Sequence, residues 1–240
     1  MSLEPQSLLH NLTLLEQVEK ATLRMVVQAI YDFRNEAGEF FIHETDLVAD
    51  IGEDITREAM DRMGTSTIPV RLFGKIDYKR ARYVFQPEYS VRQALFVDSK
   101  AEKIEGAGTV TIQTAQTSMS VRQMRAGAPV DEQGTLPRIL NVQNDEYLVT
   151  TVFVKYNYSE GSETLQKALE SMSVTCLPNG ILQDRYNPTP EQTFWLAGRN
   201  APSRGEPFRA RISLSRLKQL ASWRVQHISL DAGTPFVWDE

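Results

Sequence analysis

Cysteine and histidine are both scarce in this chain of 240 residues, which has Cys176 alone and three scattered histidines, His10, His43 and His227. One cysteine excludes an internal disulfide framework, and the histidines form no cluster with zinc-site spacing. The sequence also lacks an apolar run long enough to span a membrane. The stretch near Leu8–Leu15 has no basic flank or cleavage site, so it predicts a helix and not a signal peptide. We therefore expect a cytoplasmic protein with no membrane partner.

A strong excess of one charge sign is also absent, since the formal net charge is -5. The charges are unevenly distributed, however: residues 1–60 carry twelve acids and four bases, whereas residues 184–224 carry eight bases and three acids. Seven of those eight bases are arginine, the residue best suited to forked contacts with phosphate and guanine. A local basic surface on an acidic protein is compatible with a nucleic-acid partner. The alternative is a set of solvated arginines without that role.

Hydrophobic periodicity and β-favouring runs predict alternating helices and strands, and no repeat or linker divides residues 1–240. The spacing predicts helices over Leu12–Phe33, Asp54–Met63, Thr111–Met124 and Glu163–Ser171. Gly52 and the two acids after it mark the start of the second of these helices, and Gly64 marks its end. It predicts strands over Val70–Tyr78, Arg82–Phe85, Ala94–Lys100 and Tyr147–Tyr158, with a turn at Gln86–Glu88. We expect one α/β domain over residues 1–240.

The pattern of an acid followed two positions later by a lysine occurs twice, in Asp77-Tyr78-Lys79 and in Asp98-Ser99-Lys100. Alternate side chains of a strand share a face, so Asp98 and Lys100 project together. The apolar run Leu95–Val97 leads into Asp98, and a buried carboxylate usually has a metal ion or an ammonium group beside it. If the Asp77 segment pairs alongside, two carboxylates and one ammonium converge, as a metal-dependent nuclease requires. Spacing alone is also compatible with two solvated strand ends.

The segment Phe208–Ser215 alternates strictly between apolar and polar residues. Its polar positions are Arg209, Arg211, Ser213 and Ser215. This pattern predicts a strand with one face on the core and one face bearing two arginines. Such a face can lie along a DNA groove, where arginine reads guanine. The alternative is an exposed edge strand whose arginines discourage aggregation. Arg199 and Arg204 lie in the preceding loop, and loops on a rigid scaffold commonly carry recognition.

Three blocks of the sequence resemble type II restriction endonucleases of the PD-(D/E)xK superfamily. They agree in order over most of the chain and lie within Val18–Ala29, Ile76–Ala101 and Arg185–Arg224. The resemblance implies the restriction-endonuclease-like fold, a central mixed β-sheet flanked by α-helices. Within it, the resemblance implies a catalytic core at about residues 12–160 and a DNA-recognition loop and strand at about 183–225. It also implies Mg²⁺-dependent hydrolysis of double-stranded DNA at a palindromic, interrupted and GC-rich site.

The same resemblance implies roles for individual residues of the catalytic centre. Asp77 and Asp98 match the metal-binding acids, and the Ser99 carbonyl is a further candidate ligand for Mg²⁺. Lys100 matches the catalytic lysine, which we expect to orient or help deprotonate the attacking water. A glutamate near the start of the second helix often completes such a site; Glu53 is the candidate, with Asp54 as its neighbouring rival.

On the recognition side, Arg209 and Arg211 match the position where members of the family read base edges. A palindromic target requires a homodimer at least, and a tetramer is an expectation by analogy. Two other functions stay open. One is a repair or junction nuclease of the same fold that cuts by DNA structure, and the other is a DNA-binding protein without catalysis.

Overall fold

A computed structural model of the protein describes residues 3–43, 48–64, 82–86, 88–106, 108–160, 167–197, 209–231 and 233–240. In these residues the α-helices are α1 (Leu12–Asp32), α2 (Arg34–His43), α3 (Val48–Arg62), α4 (Gln183–Tyr186) and α5 (Leu214–Leu220). The strands are β1 (Arg82–Gln86), β2 (Val91–Lys103), β3 (Thr109–Gln113), β4 (Val121–Arg125), β5 (Ala128–Glu132), β6 (Ile139–Val142), β7 (Asp145–Glu160), β8 (Lys167–Leu177), β9 (Trp195–Ala197), β10 (Arg209–Ser213) and β11 (Val225–Ser229).

The largest sheet has the strand order β1-β2-β7-β8-β11, with β6 pairing to the start of β7. It is mixed, because β2 and β7 run parallel whereas β1, β6, β8 and β11 each pair antiparallel with their neighbours. In the parallel pair, Asp98 lies opposite Phe153 and Lys100 lies opposite Lys155. Most of β7 is buried because both faces of the sheet are covered.

Helices α1, α2 and α3 cover one face of this sheet. The first of them begins at Asn11, whose side chain accepts a hydrogen bond from the Leu14 backbone N–H at 3.0 Å and so caps the helix. Leu95 of β2 and Tyr156 of β7 pack in one apolar cluster with helical residues such as Ile55. Burial of these faces is the main force that holds the three helices on the sheet.

A smaller sheet, with the order β3-β10-β9, packs on the opposite side. Phe153 of β7 points to that side and shares a second apolar cluster with Val110 of β3 and Ile212 of β10. Leu217 of α5 belongs to the same cluster. The hairpin of β4 and β5 stands apart as a two-stranded sheet. The main sheet is therefore covered by long helices on one face and by the smaller sheet and α5 on the other.

Several sequence predictions are confirmed. The helix expected over Leu12–Phe33 is α1, the strand expected over Tyr147–Tyr158 is β7, and the strands expected over Arg82–Phe85 and Ala94–Lys100 are β1 and β2, joined by a turn. The central mixed sheet flanked by helices is also as expected. The strand expected over Val70–Tyr78 lies outside the described residues. No helix among those described is long and apolar enough to cross a membrane.

The helix expected to start near Gly52 begins earlier, at Val48. Gly52 sits inside α3 because the helix touches the sheet there: a Cβ at this position would lie 3.2 Å from the Tyr156 ring and 3.5 Å from the Ala101 Cβ. The glycine therefore marks close packing and not a helix start. Gly64, with φ +68°, does end the helix as expected. Helix α2 was not predicted.

Two predicted helices are wrong. The span Thr111–Met124 contains β3, a single 3₁₀ turn and β4, with alternate residues of β3 buried as a strand requires. From Lys167 onward, the span Glu163–Ser171 belongs to β8, because pairing with β7 and β11 outweighs local helix preference. The strand expected over Phe208–Ser215 ends at Ser213, whose hydroxyl accepts from the Arg216 N–H and caps α5.

Candidate active site

Strand β2 brings Asp98 and Lys100 together on one face of the main sheet. Ala101 packs in the apolar cluster on the helix side of the sheet. Successive side chains of a strand point to opposite faces, so Asp98 and Lys100, which lie an odd number of positions before Ala101, point to the other face. The Lys100 Nζ lies 2.7 Å from the Asp98 Oδ2. The Asp98 side chain is 5% exposed and that of Lys100 is 30% exposed. An anionic group is thus held inside the sheet, with its cationic neighbour reaching toward solvent.

The burial of Asp98 has an energetic cost that its surroundings must offset. A carboxylate leaving water loses several kcal/mol of hydration unless a charged or hydrogen-bonding partner replaces it. Ala94, Leu95 and Phe96 precede it as fully or almost fully buried apolar residues, so the strand carries the acid out of the core interior. Lys100 supplies the opposite charge, with its Nζ 2.7 Å from a carboxylate oxygen. A carboxylate buried at such cost beside a specific charged partner is a candidate functional residue.

The donor set at this position suits a hard divalent cation. Carboxylate and peptide oxygens are the ligands that Mg²⁺ and Ca²⁺ take, and β2 presents the Asp98 carboxylate with the Ser99 peptide beside it. Asp77, the predicted second acid, lies outside the described residues. Within the described ranges, three or more His, Cys, Asp or Glu side chains are nowhere close enough together to hold a metal ion. A cation here therefore needs a further ligand, and Asp77 is the residue the sequence offers.

Glu53 and Asp54 lie in the middle of α3 and are exposed. Their neighbour Gly52 packs over Ala101, which places this part of α3 close to the end of β2 that carries Lys100. The helix lies on the opposite face of the sheet from Asp98, however, and Asp54 is ion-paired with Arg57. The structure thus puts Glu53 near the same strand end but does not bring it onto the Asp98 face.

Lys155 and Glu102 are two charged residues near the site that the sequence analysis did not single out. The Lys155 side chain is completely buried on β7, and its Nζ lies 2.8 Å from Glu102 Oε2 on β2. Glu102 shares the face of Asp98 and Lys100, because the three residues alternate along one strand. The sequence held one signal: Lys155 is the sole charge inside the β-favouring run Val149–Tyr158.

The polar face of the smaller sheet carries the two arginines predicted for recognition. Arg209 lies opposite Gln113, and Arg211 lies opposite Thr111, so these four partly exposed side chains form one patch across β3 and β10. Ala210 and Ile212, which alternate with the arginines, are buried as predicted. The other two predicted arginines, Arg199 and Arg204, lie outside the described residues. Thr111 and Gln113 were missed because their segment was predicted to be helical.

Comparison with known proteins assigns this geometry to a family. The family model of the type II restriction enzyme SfiI matches residues 30–228. The type II restriction enzyme SfiI of Streptomyces fimbriatus is 35% identical, over 92% of this chain and 87% of the relative. A crystal structure of tetrameric SfiI bound to cognate DNA matches with a TM-score of 0.81 and 33% identity, covering 98% of this chain and 91% of that one.

A crystal structure of the restriction endonuclease BglI bound to its DNA recognition sequence also matches, with a TM-score of 0.75 over 95% of this chain and 94% of that one. At 16% identity, this likeness shows the fold alone. The matches to SfiI define the class as the type II restriction endonucleases, which are site-specific deoxyribonucleases. Within that class, the chain belongs to the SfiI family.

Proposed function

We propose that this protein cuts double-stranded DNA at a palindromic, interrupted and GC-rich site by Mg²⁺-dependent hydrolysis. The observation that carries the proposal is the Asp98–Lys100 pair, 2.7 Å apart and projecting from the face of the main sheet on which the smaller sheet packs. That smaller sheet bears Arg209 and Arg211. One molecule thus has a candidate hydrolytic centre and a candidate base-reading surface on the same side.

Asp98, Asp77 and the Ser99 carbonyl are the residues that would hold the Mg²⁺ ion. When bound, the ion supplies Lewis-acid stabilisation of negative charge on the phosphate. Asp98 is fixed by its position inside a buried strand, so it needs little reorganisation when the ion and the phosphate arrive. Glu53 is proposed as an additional group near the same strand end.

Lys100 has two tasks in this proposal. As an ammonium group it orients the attacking water and stabilises the charge that builds on the phosphate oxygens in the transition state. To help remove the proton of that water it must first release its own proton, so that the neutral amine is the acceptor. The contact with Asp98 holds the ammonium where that charge develops. Because 30% of the Lys100 side chain stays exposed, the group can reach a phosphate that approaches from solvent.

Recognition is assigned to the polar face of the smaller sheet and to the loop arginines. Arg209 and Arg211 would each donate two hydrogen bonds to a guanine, at O6 and N7 in the major groove, which suits a GC-rich site. Thr111 and Gln113 stand opposite them in register and offer further hydrogen-bonding groups. The recognition surface therefore includes β3 as well as the segment at about 183–225, and we extend its expected bounds to residues 109–113. Arg199 and Arg204 are proposed as additional DNA contacts.

A two-fold symmetric target requires two equivalent sites, so we propose a homodimer as the minimum assembly. The SfiI relative was crystallised as a tetramer bound to its cognate DNA. With 33% identity to that chain and a TM-score of 0.81, the same tetrameric assembly on DNA is our proposal for this protein.

The experiment is a digest of long DNA of known sequence by the pure protein, with and without Mg²⁺, followed by mapping of the ends. We expect discrete fragments whose ends share one interrupted palindrome, and no cutting after chelation of the ion. Mg²⁺-dependent cutting without a common sequence would instead favour a structure-specific repair nuclease. Binding to DNA without cutting would favour a non-catalytic DNA-binding protein.

Replacement of Arg211 by alanine is expected to weaken binding to the recognised site by about 10- to 100-fold, since a bidentate base contact contributes about 1–3 kcal/mol. Specificity should relax at the base pair that Arg211 reads. The measurement is the Kd, with Ca²⁺ in place of Mg²⁺, for the mapped site and for sites changed at one base pair. Arg57→Ala, an exposed arginine on α3, is the control and should leave these affinities unchanged. Uniform weakening across all sequences would show that Arg211 contacts the phosphate backbone instead.

A further inference from the structure

Lys155 is completely buried and is the one charged residue in the run Val149–Tyr158 of β7. It stands opposite Lys100 of β2 and opposite Ser173 of β8 in the sheet register. A lysine ammonium almost never loses all contact with water unless fixed partners replace it. Its partners therefore indicate why it is there.

Two groups that contact the Lys155 ammonium lie at the two ends of the short connector between β2 and β3. The Lys155 Nζ lies 2.8 Å from Glu102 Oε2, and it also donates to the Thr109 carbonyl. Glu102 lies near the end of β2, two residues after Lys100, and Thr109 is the first residue of β3. One ammonium group thus holds both ends of the segment that links the catalytic strand to the recognition sheet.

The far end of this link continues into strand β10. Thr109 pairs with Ser213, the last residue of β10, and the Leu214 backbone N–H donates to the Gly108 carbonyl at 3.2 Å. Arg211 is two residues before Ser213 on the same strand. Contacts therefore run without interruption from β10 through Thr109 and Lys155 to Glu102, which lies two residues from Lys100.

Stability alone gives a weak reason for this arrangement. Exchange of a buried ion pair for apolar groups of similar volume is often neutral or stabilising. Glu102 is 34% exposed, so after loss of Lys155 it would regain water and would not be a buried unpaired charge. A positioning role gives a stronger reason, because displacement of a catalytic group by about 1 Å can lower the reaction rate about 100-fold.

We propose, on the basis of the function proposed above, that Lys155 is a positioning residue that couples the recognition sheet to Lys100 and Asp98. It does not touch the substrate. Its ammonium fixes the Glu102–Thr109 connector, so that engagement of the correct site by β10 sets the position of the catalytic strand end. Loss of this link leaves the DNA bound but the catalytic pair misplaced.

The test compares Lys155→Met with Lys155→Arg, which keeps the charge and the donors. The matched control is Lys20→Met, because Lys20 of α1 is ion-paired with Glu240, is 23% exposed and lies outside the connector. Three quantities are measured for each protein: the single-turnover cleavage rate with Mg²⁺, the Kd for the mapped site with Ca²⁺, and the ratio of rates at that site and at a site changed by one base pair.

We expect Lys155→Met to cut about 30- to 100-fold more slowly at saturating protein, with a Kd within about threefold of the unchanged protein. The ratio of the rate at the mapped site to the rate at the altered site should fall in Lys155→Met. Lys155→Arg should recover most of the rate, and Lys20→Met should behave like the unchanged protein. If Lys155→Met does not fold, Lys155→Gln is measured in its place against the same criteria.

An unchanged rate in Lys155→Met would overturn the proposal, as would a loss of affinity in proportion to the loss of rate. A fall in rate with the ratio of rates unchanged would also overturn it. Failure of the function proposed above would show itself differently, because the unchanged protein would then not cut DNA in the first place.

Discussion

Lys100→Ala is expected to lower the single-turnover rate of DNA cleavage by about 100- to 1,000-fold, the usual effect of one lost electrostatic group at a developing charge, and Asp98→Asn by about 1,000-fold or more. Asp98→Asn also removes a ligand for the ion. Lys100→Ala removes the cation beside the buried Asp98 carboxylate and should lower stability without unfolding the protein, whereas Asp98→Asn keeps the shape of aspartate and removes the buried charge. The measurement is quenched cleavage of a DNA carrying the mapped site, at saturating protein and Mg²⁺.

The control for this prediction is Lys103→Ala, three residues further along β2. Lys103 points to the other side of the strand and pairs with Glu160, so its loss should leave the rate within about threefold. Thermal unfolding of all three variants separates lost catalysis from lost structure. Cleavage by Lys100→Ala at a rate close to that of the unchanged protein would remove Lys100 from the mechanism.

Arg224→Met is expected to have the largest effect on stability, a loss of about 3–5 kcal/mol in the free energy of unfolding. Arg224 and Glu19 are both completely buried, with Nη2 and Oε2 2.7 Å apart. The Glu19 carboxylate also accepts from the Asn179 backbone N–H at 2.8 Å, which ties α1 to the segment after β8. Without the guanidinium, a carboxylate is left in the core with one remaining donor. Chemical denaturation at pH 7 measures the loss.

The pH dependence of Arg224→Met provides a second readout of the same defect. Burial raises the pKa of Glu19 above its ordinary value near 4.5, even against the opposing effect of Arg224. Removal of Arg224 raises the pKa of Glu19 further, so the folded variant binds a proton more readily than the unfolded chain. Its free energy of unfolding therefore falls as pH rises above about 4.5, and the defect is smallest in acid.

Two further variants complete this experiment. Glu19→Gln/Arg224→Met removes the buried charge altogether and should recover much of the lost stability. Lys218→Met, which breaks an ion pair with Asp239 whose two side chains are 42% and 38% exposed, should cost about 1 kcal/mol or less. A loss in Arg224→Met that is equally small and independent of pH would show that Glu19 is solvated or otherwise partnered in the folded state.

Local sequence was sufficient to predict a helix or a strand where one periodicity dominates the segment. The helical spacing of Leu15 and Val18 gives α1, and the β-branched run before Lys155 gives β7. It was insufficient where non-local contacts decide. Gly52 was predicted to mark a helix start. Its packing against Tyr156 could not be foreseen from local sequence, because the two residues are about 100 positions apart. The start of β8 was taken as a helix because its partners, β7 and β11, are visible only in the folded sheet.

The same distinction applies to the candidate site. Asp98 and Lys100 could be paired from sequence because two residues of one strand share a face, and the structure places them 2.7 Å apart. The contact between Glu102 and Lys155 could not be predicted from sequence, because it depends on the parallel register of β2 and β7. Likewise, Gln113 and Thr111 join Arg209 and Arg211 only through the pairing of β3 with β10.

The most direct test of the account is the location of a bound metal ion in crystals of the protein with DNA that carries the mapped site. Mn²⁺, which takes the same oxygen ligands as Mg²⁺, can be identified by its anomalous scattering. We expect an anomalous peak about 2.1 Å from an Asp98 carboxylate oxygen, with Asp77 as a second ligand and the Lys100 ammonium facing the phosphate to be cut. A peak with no Asp98 oxygen among its ligands, or a cut phosphate remote from β2, would contradict the account.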